Sequence, residues 1–202
     1  MTKIKLCGLR READIAAANE LMPDYAGFVL ARESRRAVSR EQAAALRALL
    51  RPEILAVGVF VDAPLKEVES LLSEGILDIA QLHGREDGDY VQELQMRTGK
   101  PVIQAFRIRS REDAARAAES PADYILLDAG AGDGETFPWE LAEGAGRPYF
   151  LAGGLTAENV PLAVERLHPF AVDVSSGIET DGWKDPEKMR AFVRAVRRRT
   201  EA

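Results

Sequence analysis

The chain has 202 residues, 46% of them apolar and 30% charged, with no low-complexity tract; it can bury a full core, and this composition excludes a disordered protein. Its formal charge of −6 argues against a nucleic-acid partner, since such binding rests on a basic face that neutralises phosphates. With no apolar run near the roughly 20 residues of a membrane span, no signal-peptide core at the N-terminus and a single cysteine that excludes an internal disulfide framework, the expectation is a soluble, cytoplasmic protein without a membrane partner.

Short β-branched runs alternate with longer amphipathic segments, each pair taking roughly 25 residues. Lys3 to Cys7 reads as the first strand, broken at Gly8, and Arg11 to Leu21 as a helix with Ile15, Ala18 and Leu21 at helical spacing. Asp24 to Leu30 is the second strand. Ser39 with Gln42 three residues on forms a capping box for the second helix. Ile54 to Val61 is an almost unbroken apolar run, the pattern of a strand covered on both faces. Asp62 and Pro64 start a helix through Leu72, Asp78 to Leu82 is the fourth strand, and Glu86 to Arg97 the fourth helix. Pro101 to Phe106 is a strand, Ser110 with Asp113 caps an Ala-rich helix, and Tyr124 to Asp128 is the sixth strand. A loop with Gly130, Gly132 and Gly134 and a weak helical segment around Trp139 to Ala142 lead to Tyr149 to Ala152, then a helix from Thr156 to Leu167 and a strand from Phe170 to Val174. Asp185 and Pro186, a good N-cap and first-turn pair, begin a last helix through Arg199. The basic run at Arg197 to Arg199 suits the negative end of that helix dipole.

Eight strand and helix units with no linker between them predict an α/β fold, a single-domain (β/α)8 TIM barrel over 1–202; a doubly wound open sheet is the alternative. In the barrel, a site forms at the C-terminal ends of the strands, and loops after strands seven and eight often hold phosphate. Gly153 and Gly154 follow strand seven, and Ser175, Ser176 and Gly177 follow strand eight. These are either a phosphate cradle of backbone N–H groups or ordinary turn residues.

Strand alternation puts Lys3, Lys5 and Cys7 on one face, Tyr124, Leu126 and Asp128 on another, and Ala171, Asp173 and Ser175 on a third. Ionisable groups seldom face covering helices, so all three sets point inward. Cys7 and Asp128 then lie across the barrel mouth from each other, a thiol and a carboxyl suited to taking one proton and delivering another; Asp128 as a loop cap is the alternative. Lys5 either helps Cys7 ionise or is engaged by Asp173 on the adjacent strand, the preferred pairing. A nucleophilic Cys7 would need a histidine partner, and nothing in the spacing brings His83 near it. With only His83 and His168 and no close His/Cys cluster, no zinc site is expected. Arg35 and Arg36 after strand two either bind a substrate carboxylate or are solvated loop charges.

Lys5-Leu6-Cys7-Gly8, Gly27-Phe28 with Ser34-Arg35-Arg36, Val57 to Val61, Gln81-Leu82-His83-Gly84, Leu126-Leu127-Asp128, Leu151 to Leu155, Glu158-Asn159-Val160 and Asp173 to Gly177 together resemble the phosphoribosylanthranilate isomerases of tryptophan biosynthesis, in the right order over nearly the whole chain. The resemblance implies an eight-fold barrel and a cofactor-free, metal-free Amadori rearrangement of a small-molecule substrate by a monomer or homodimer. It makes Asp128 the general acid at the ribose ring oxygen and Cys7 the general base at the sugar C2. Gly153, Gly154, Asp173, Ser175, Ser176 and Gly177 become substrate or phosphate contacts, and Arg36 the holder of the anthranilate carboxylate. Two departures stand out. Arg35 replaces the family's proline and could share or take over the carboxylate contact. The loop after strand six is short and carries Asp133, which would repel a phosphate and is left out of the site; Thr136-Phe137-Pro138-Trp139 follows it, with proline where the family has Asp or Asn. A sugar-phosphate-binding barrel without catalysis, or an aminoaldose isomerase of histidine biosynthesis, are the alternatives. The latter would be expected to use paired carboxylates.

Overall fold

The computed structural model describes residues 1–128, 141–142 and 145–198. Eight parallel strands close into a barrel in sequence order: β1 (Lys3–Cys7), β2 (Tyr25–Val29), β3 (Leu55–Phe60), β4 (Ile79–Leu82), β5 (Val102–Arg107), β6 (Tyr124–Asp128), β7 (Tyr149–Ala152) and β8 (Ala171–Val174). The last strand returns to the first in a register running from Lys3 opposite Ala171 to Leu6 opposite Val174. That closure excludes the open-sheet alternative. Around it lie α1 (Glu12–Leu21), α2 (Arg40–Leu49), α3 (Leu65–Ser73), α4 (Gly88–Thr98), α5 (Arg111–Ala118), α6 (Val160–Leu167) and α7 (Pro186–Arg197). The expected glycine loop at Gly130, Gly132 and Gly134, with Asp133, the stretch from Thr136 to Trp139, and Arg199, fall outside the described residues.

The helix starts follow the local chemistry. Ser39 Oγ accepts from the Gln42 N–H at 3.2 Å and Gln42 Oε1 accepts from the Ser39 N–H at 2.8 Å, so each side chain satisfies a backbone donor left open by the helix end. Ser110 and Asp113 do the same for α5. Two starts come later than the spacing predicts. Before α6, Asn159 accepts from the Thr156 N–H and donates to the Gly154 carbonyl, which holds 154–159 in a turn. Before α4, Glu86 accepts from the N–H groups of Asp62 and Gly84, and Asp87 caps the helix instead.

Alternation sends the even residues of β1, Ile4 and Leu6, into the layer between sheet and helices with Phe28, Phe60 and Phe192, all buried. Inside the barrel, Tyr25, Tyr124, Phe150 and Phe170 stack edge and face with ring centres 5.0–5.8 Å apart, and the Lys3 ammonium sits 5.0 Å over the Phe170 ring. This plug fills the N-terminal end of the barrel and leaves the C-terminal end to hold a ligand.

One element has no counterpart in the sequence reading. After a 3-10 turn at Ser176–Ile178, β9 (Glu179–Thr180) pairs antiparallel with β10 (Trp183–Lys184). The Arg10 guanidinium lies 3.7 Å from the Trp183 ring centre and donates to the carbonyls of Gly182 and Arg35, and Arg11 donates to the Lys184 carbonyl. The hairpin is thereby strapped to the loops after β1 and β2. Among the described residues, no helix is long and apolar enough to cross a membrane.

Candidate active site

The odd residues of β1 climb the barrel interior to Cys7, which is buried at the mouth. One layer below, Lys5 Nζ lies 3.0 Å from Asp173 Oδ1, with Lys5 fully buried; the two are register neighbours on β1 and β8, as the alternation predicts. Burial works against the charge on Lys5, yet Asp173 and Cys7 hold its pKa above the ordinary value. For Cys7, burial pushes the thiol up, the Lys5 ammonium opposes, and Asp173 adds to the rise, so the net direction is upward. The free protein therefore carries Cys7 as a thiol at neutral pH, with a cation beside it that favours the thiolate once the proton leaves.

The β9–β10 hairpin delivers a second charge cluster to the same mouth. Glu179 accepts from Arg36 Nε at 2.6 Å and Nη2 at 2.9 Å, from Arg35 Nη2 at 3.1 Å and from Lys184 Nζ at 2.7 Å. Burial would raise this carboxyl, but the hydrogen bonds and charges of Arg36 and Lys184 prevail and take it down to about 2. A guanidinium has five N–H donors in a planar fork. Arg36 gives Glu179 its Nε side, which leaves the Nη1–Nη2 edge of the fork for a second anion, and the residue lines the cavity. Arg35 is 61% exposed, the cavity wall does not include it, and its guanidinium pairs with Glu179. Lys184 also donates to the Ser175 carbonyl and hydroxyl, and Ser175 Oγ donates to the Cys7 carbonyl at 3.1 Å. Those bonds lock the ends of β1 and β8 together under the thiol.

Across the mouth, at the end of β6, Asp128 Oδ2 lies 3.3 Å from His83 Nε2. His83 Nδ1 in turn meets the side-chain amide of Gln81 at 3.3 Å. Both ring nitrogens are thus committed, which leaves neither for Cys7 and removes the histidine that nucleophilic catalysis would need. Cys7, Arg36, His83 and Asp128 line one cavity of about 330 Å³, closed on its far side by Gly153, Gly154, Ser175 and Ser176. That volume suits a ligand of sugar-phosphate size. Gly153 and Gly154 have φ of 91° and 62°, left-handed values that glycine adopts freely, and the absence of a Cβ lets an anion approach their backbone N–H groups closely.

A thiol beside a buried cation, a carboxyl opposite it, an open guanidinium edge and a glycine wall share this one pocket. The family model described as N-(5'-phosphoribosyl)anthranilate (PRA) isomerase matches residues 4–195 of the chain. The chain belongs to the PRA isomerase family. An N-(5'-phosphoribosyl)anthranilate isomerase of Thermoanaerobacter sp. is 43% identical over 204 residues, covering 98% of both chains. The crystal structure of the Thermus thermophilus PRA isomerase superposes with a TM-score of 0.87 at 38% identity, over 96% of this chain and 98% of that one. A PRA isomerase structure in complex with reduced 1-(o-carboxyphenylamino)-1-deoxyribulose 5-phosphate matches at 34% identity and a TM-score of 0.87, over 97% of this chain and 98% of that one.

In this PRA isomerase family member, the residues singled out from sequence converge with one exception. Cys7, Arg36, Asp128, Gly153, Gly154, Asp173, Ser175 and Ser176 all line the cavity. Gly177 packs against the β7 loop: a Cβ there would sit 1.9 Å from the Leu155 carbonyl oxygen, so glycine is required for the two loops to touch. The sequence reading leaves Gln81, His83, Glu179 and Lys184 out of its site. Gln81 and His83 were within reach of the alternation rule, since they share the inward face of β4 with Ile79; Glu179 and Lys184 lie on two-residue strands that carry no periodic signal.

Proposed function

We propose that this protein catalyses the Amadori rearrangement of N-(5-phosphoribosyl)anthranilate to 1-(2-carboxyphenylamino)-1-deoxyribulose 5-phosphate, an aldose-ketose isomerisation in tryptophan biosynthesis. The observation that carries the proposal is the pairing of Cys7 and Asp128 in one cavity, with anion-binding features at two of its edges. The substrate has an anion at each end and its reacting carbons between them. In this reading its phosphate lies against the Gly153-Gly154 and Ser175 to Gly177 loops, and its carboxylate takes the open edge of Arg36 bidentately. Asp173, through Lys5, sets the charge beneath the reacting carbons.

Asp128 gives its proton to the ribose ring oxygen, and the C1–O bond breaks to leave a protonated Schiff base. The Cys7 thiolate then takes the C2 proton, and the electron pair of that C–H bond moves to form the enolamine. Return of a proton at C1 and loss of the O2 proton yield the ketone, with no net change in protons. General acid and base steps of this kind contribute about 10²- to 10⁴-fold each. Because burial raises the Cys7 pKa, the fraction of active base, and with it the rate, grows with pH above neutrality. The mechanism uses side chains of one chain only and holds for a monomer or a homodimer alike. A phosphorylated, membrane-impermeant substrate suits a cytoplasmic enzyme.

The test is to supply enzymically made phosphoribosylanthranilate to the pure protein and follow the decay of its fluorescence. Turnover at a rate proportional to protein concentration is expected, and decay no faster than spontaneous hydrolysis would sink the proposal.

A further inference from the structure

We propose that Gln81 is a positioning residue for the reaction: it fixes the tautomer of His83 so that the imidazole presents an N–H to Asp128. Gln81 is 1% exposed and sits on β4 between Val59 and Ile103, apolar register neighbours on β3 and β5. Its Nε2 lies 3.3 Å from His83 Nδ1, and His83 Nε2 lies 3.3 Å from Asp128 Oδ2. An amide nitrogen only donates. With the amide nitrogen toward the ring, as it stands here, His83 Nδ1 accepts, and the neutral ring carries its proton on Nε2, aimed at the carboxyl. The other atom of the same amide, Gln81 Oε1, is buried with no hydrogen-bond partner among the described residues. Buried acceptors are rarely left so. What this orientation gains in exchange is the bond to His83.

The consequence concerns the proton that Asp128 delivers. A neutral acid leaves one oxygen to accept from His83 Nε2–H while the other holds the proton. When that proton goes to substrate, the hydrogen bond becomes one to a carboxylate and strengthens, so the charge formed on Asp128 is met by a donor already in place. Without Gln81, the ring, 36% exposed, can take the other tautomer and face the new carboxylate with a lone pair.

The inference rests on the proposed function for its kinetic part, and its spectroscopic part stands apart from activity. With only two histidines in the chain, His83 and His168, ¹⁵N spectra of the imidazoles can be assigned by a His168→Gln variant. The wild type is expected to show His83 protonated on Nε2 and bare on Nδ1 above the imidazole titration, and Gln81→Met to show mixed tautomers. Gln81→Met should lower kcat about tenfold while KM and the affinity for the reduced product analogue stay within about twofold. In a His83→Ala background the same change should cost nothing more. A wild-type His83 protonated on Nδ1, or a Gln81→Met loss that persists undiminished in the His83→Ala background, overturns the proposal. Should Gln81→Met fail to fold, the wild-type tautomer alone decides the matter. Failure of wild-type turnover would instead count against the proposed function.

Discussion

Replacing Glu179 by Gln removes the anion that gathers Arg36, Arg35 and Lys184 at the mouth of the site. The Glu179 side chain is only 5% exposed and its carboxyl is held at about 2 against an ordinary 4.5. At 1.36 kcal/mol per pH unit, that difference contributes about 3 kcal/mol to folding at neutral pH. As the pH falls below 4.5, the unfolded chain binds a proton at this position before the folded one does. The contribution is thus complete above about pH 5, drains away between 4.5 and 2, and is absent below. Urea unfolding of wild type and Glu179→Gln at several pH values from 7 down to 3 measures it, because the other carboxylates titrate in both proteins and cancel in the difference. The gap in unfolding free energy should be about 3 kcal/mol at pH 7 and shrink by more than half by pH 3. A gap that stays constant over that range would refute the assignment of the charge cluster to Glu179. The same variant should raise KM, since the Arg36 fork is no longer held on its Nε side.

Two further outcomes follow from the geometry. Lys5→Met leaves Asp173 buried without its partner, a loss of about 3–5 kcal/mol in stability, and removes the cation that lowers the Cys7 pKa; the rising limb of kcat/KM should move to higher pH, and an unmoved limb would show that Lys5 does not act on the thiol. Gly177→Ala places a methyl group 1.9 Å from the Leu155 carbonyl oxygen and must push the β7 and β8 loops apart, at a cost of about 1–3 kcal/mol. Inorganic phosphate should then bind more weakly, as isothermal titration would read, and unchanged affinity would argue that these loops do not form the phosphate wall.

Much of this site could be read before any coordinates because a parallel strand declares its two faces. Lys3, Lys5 and Cys7 alternate with Ile4 and Leu6; with ionisable groups kept off the helix side, that sends the cysteine inward, and barrel closure brings Lys5 beside Asp173 across the β1–β8 seam. The capping boxes at Ser39 and Ser110 were equally legible, since both partners lie three residues apart in sequence. What could not be read depends on contacts between distant loops. The hairpin from Glu179 to Lys184 is too short for periodicity and is held by Arg10 and Arg11, more than 160 positions earlier. Arg35 is ambiguous in sequence, and its pairing with Glu179 shows only in the fold. The spacing offers no sign that His83 meets Asp128, yet the barrel brings the two together across the intervening β5 strand.

The central claim is that Cys7 and Asp128 are the base and the acid of one isomerisation. Its most direct test is the turnover of phosphoribosylanthranilate by Cys7→Ala and Asp128→Ala, each checked for binding of the reduced product analogue. Both variants should lose at least about a hundredfold in rate while the analogue still binds. A near-normal rate in either one would contradict the account.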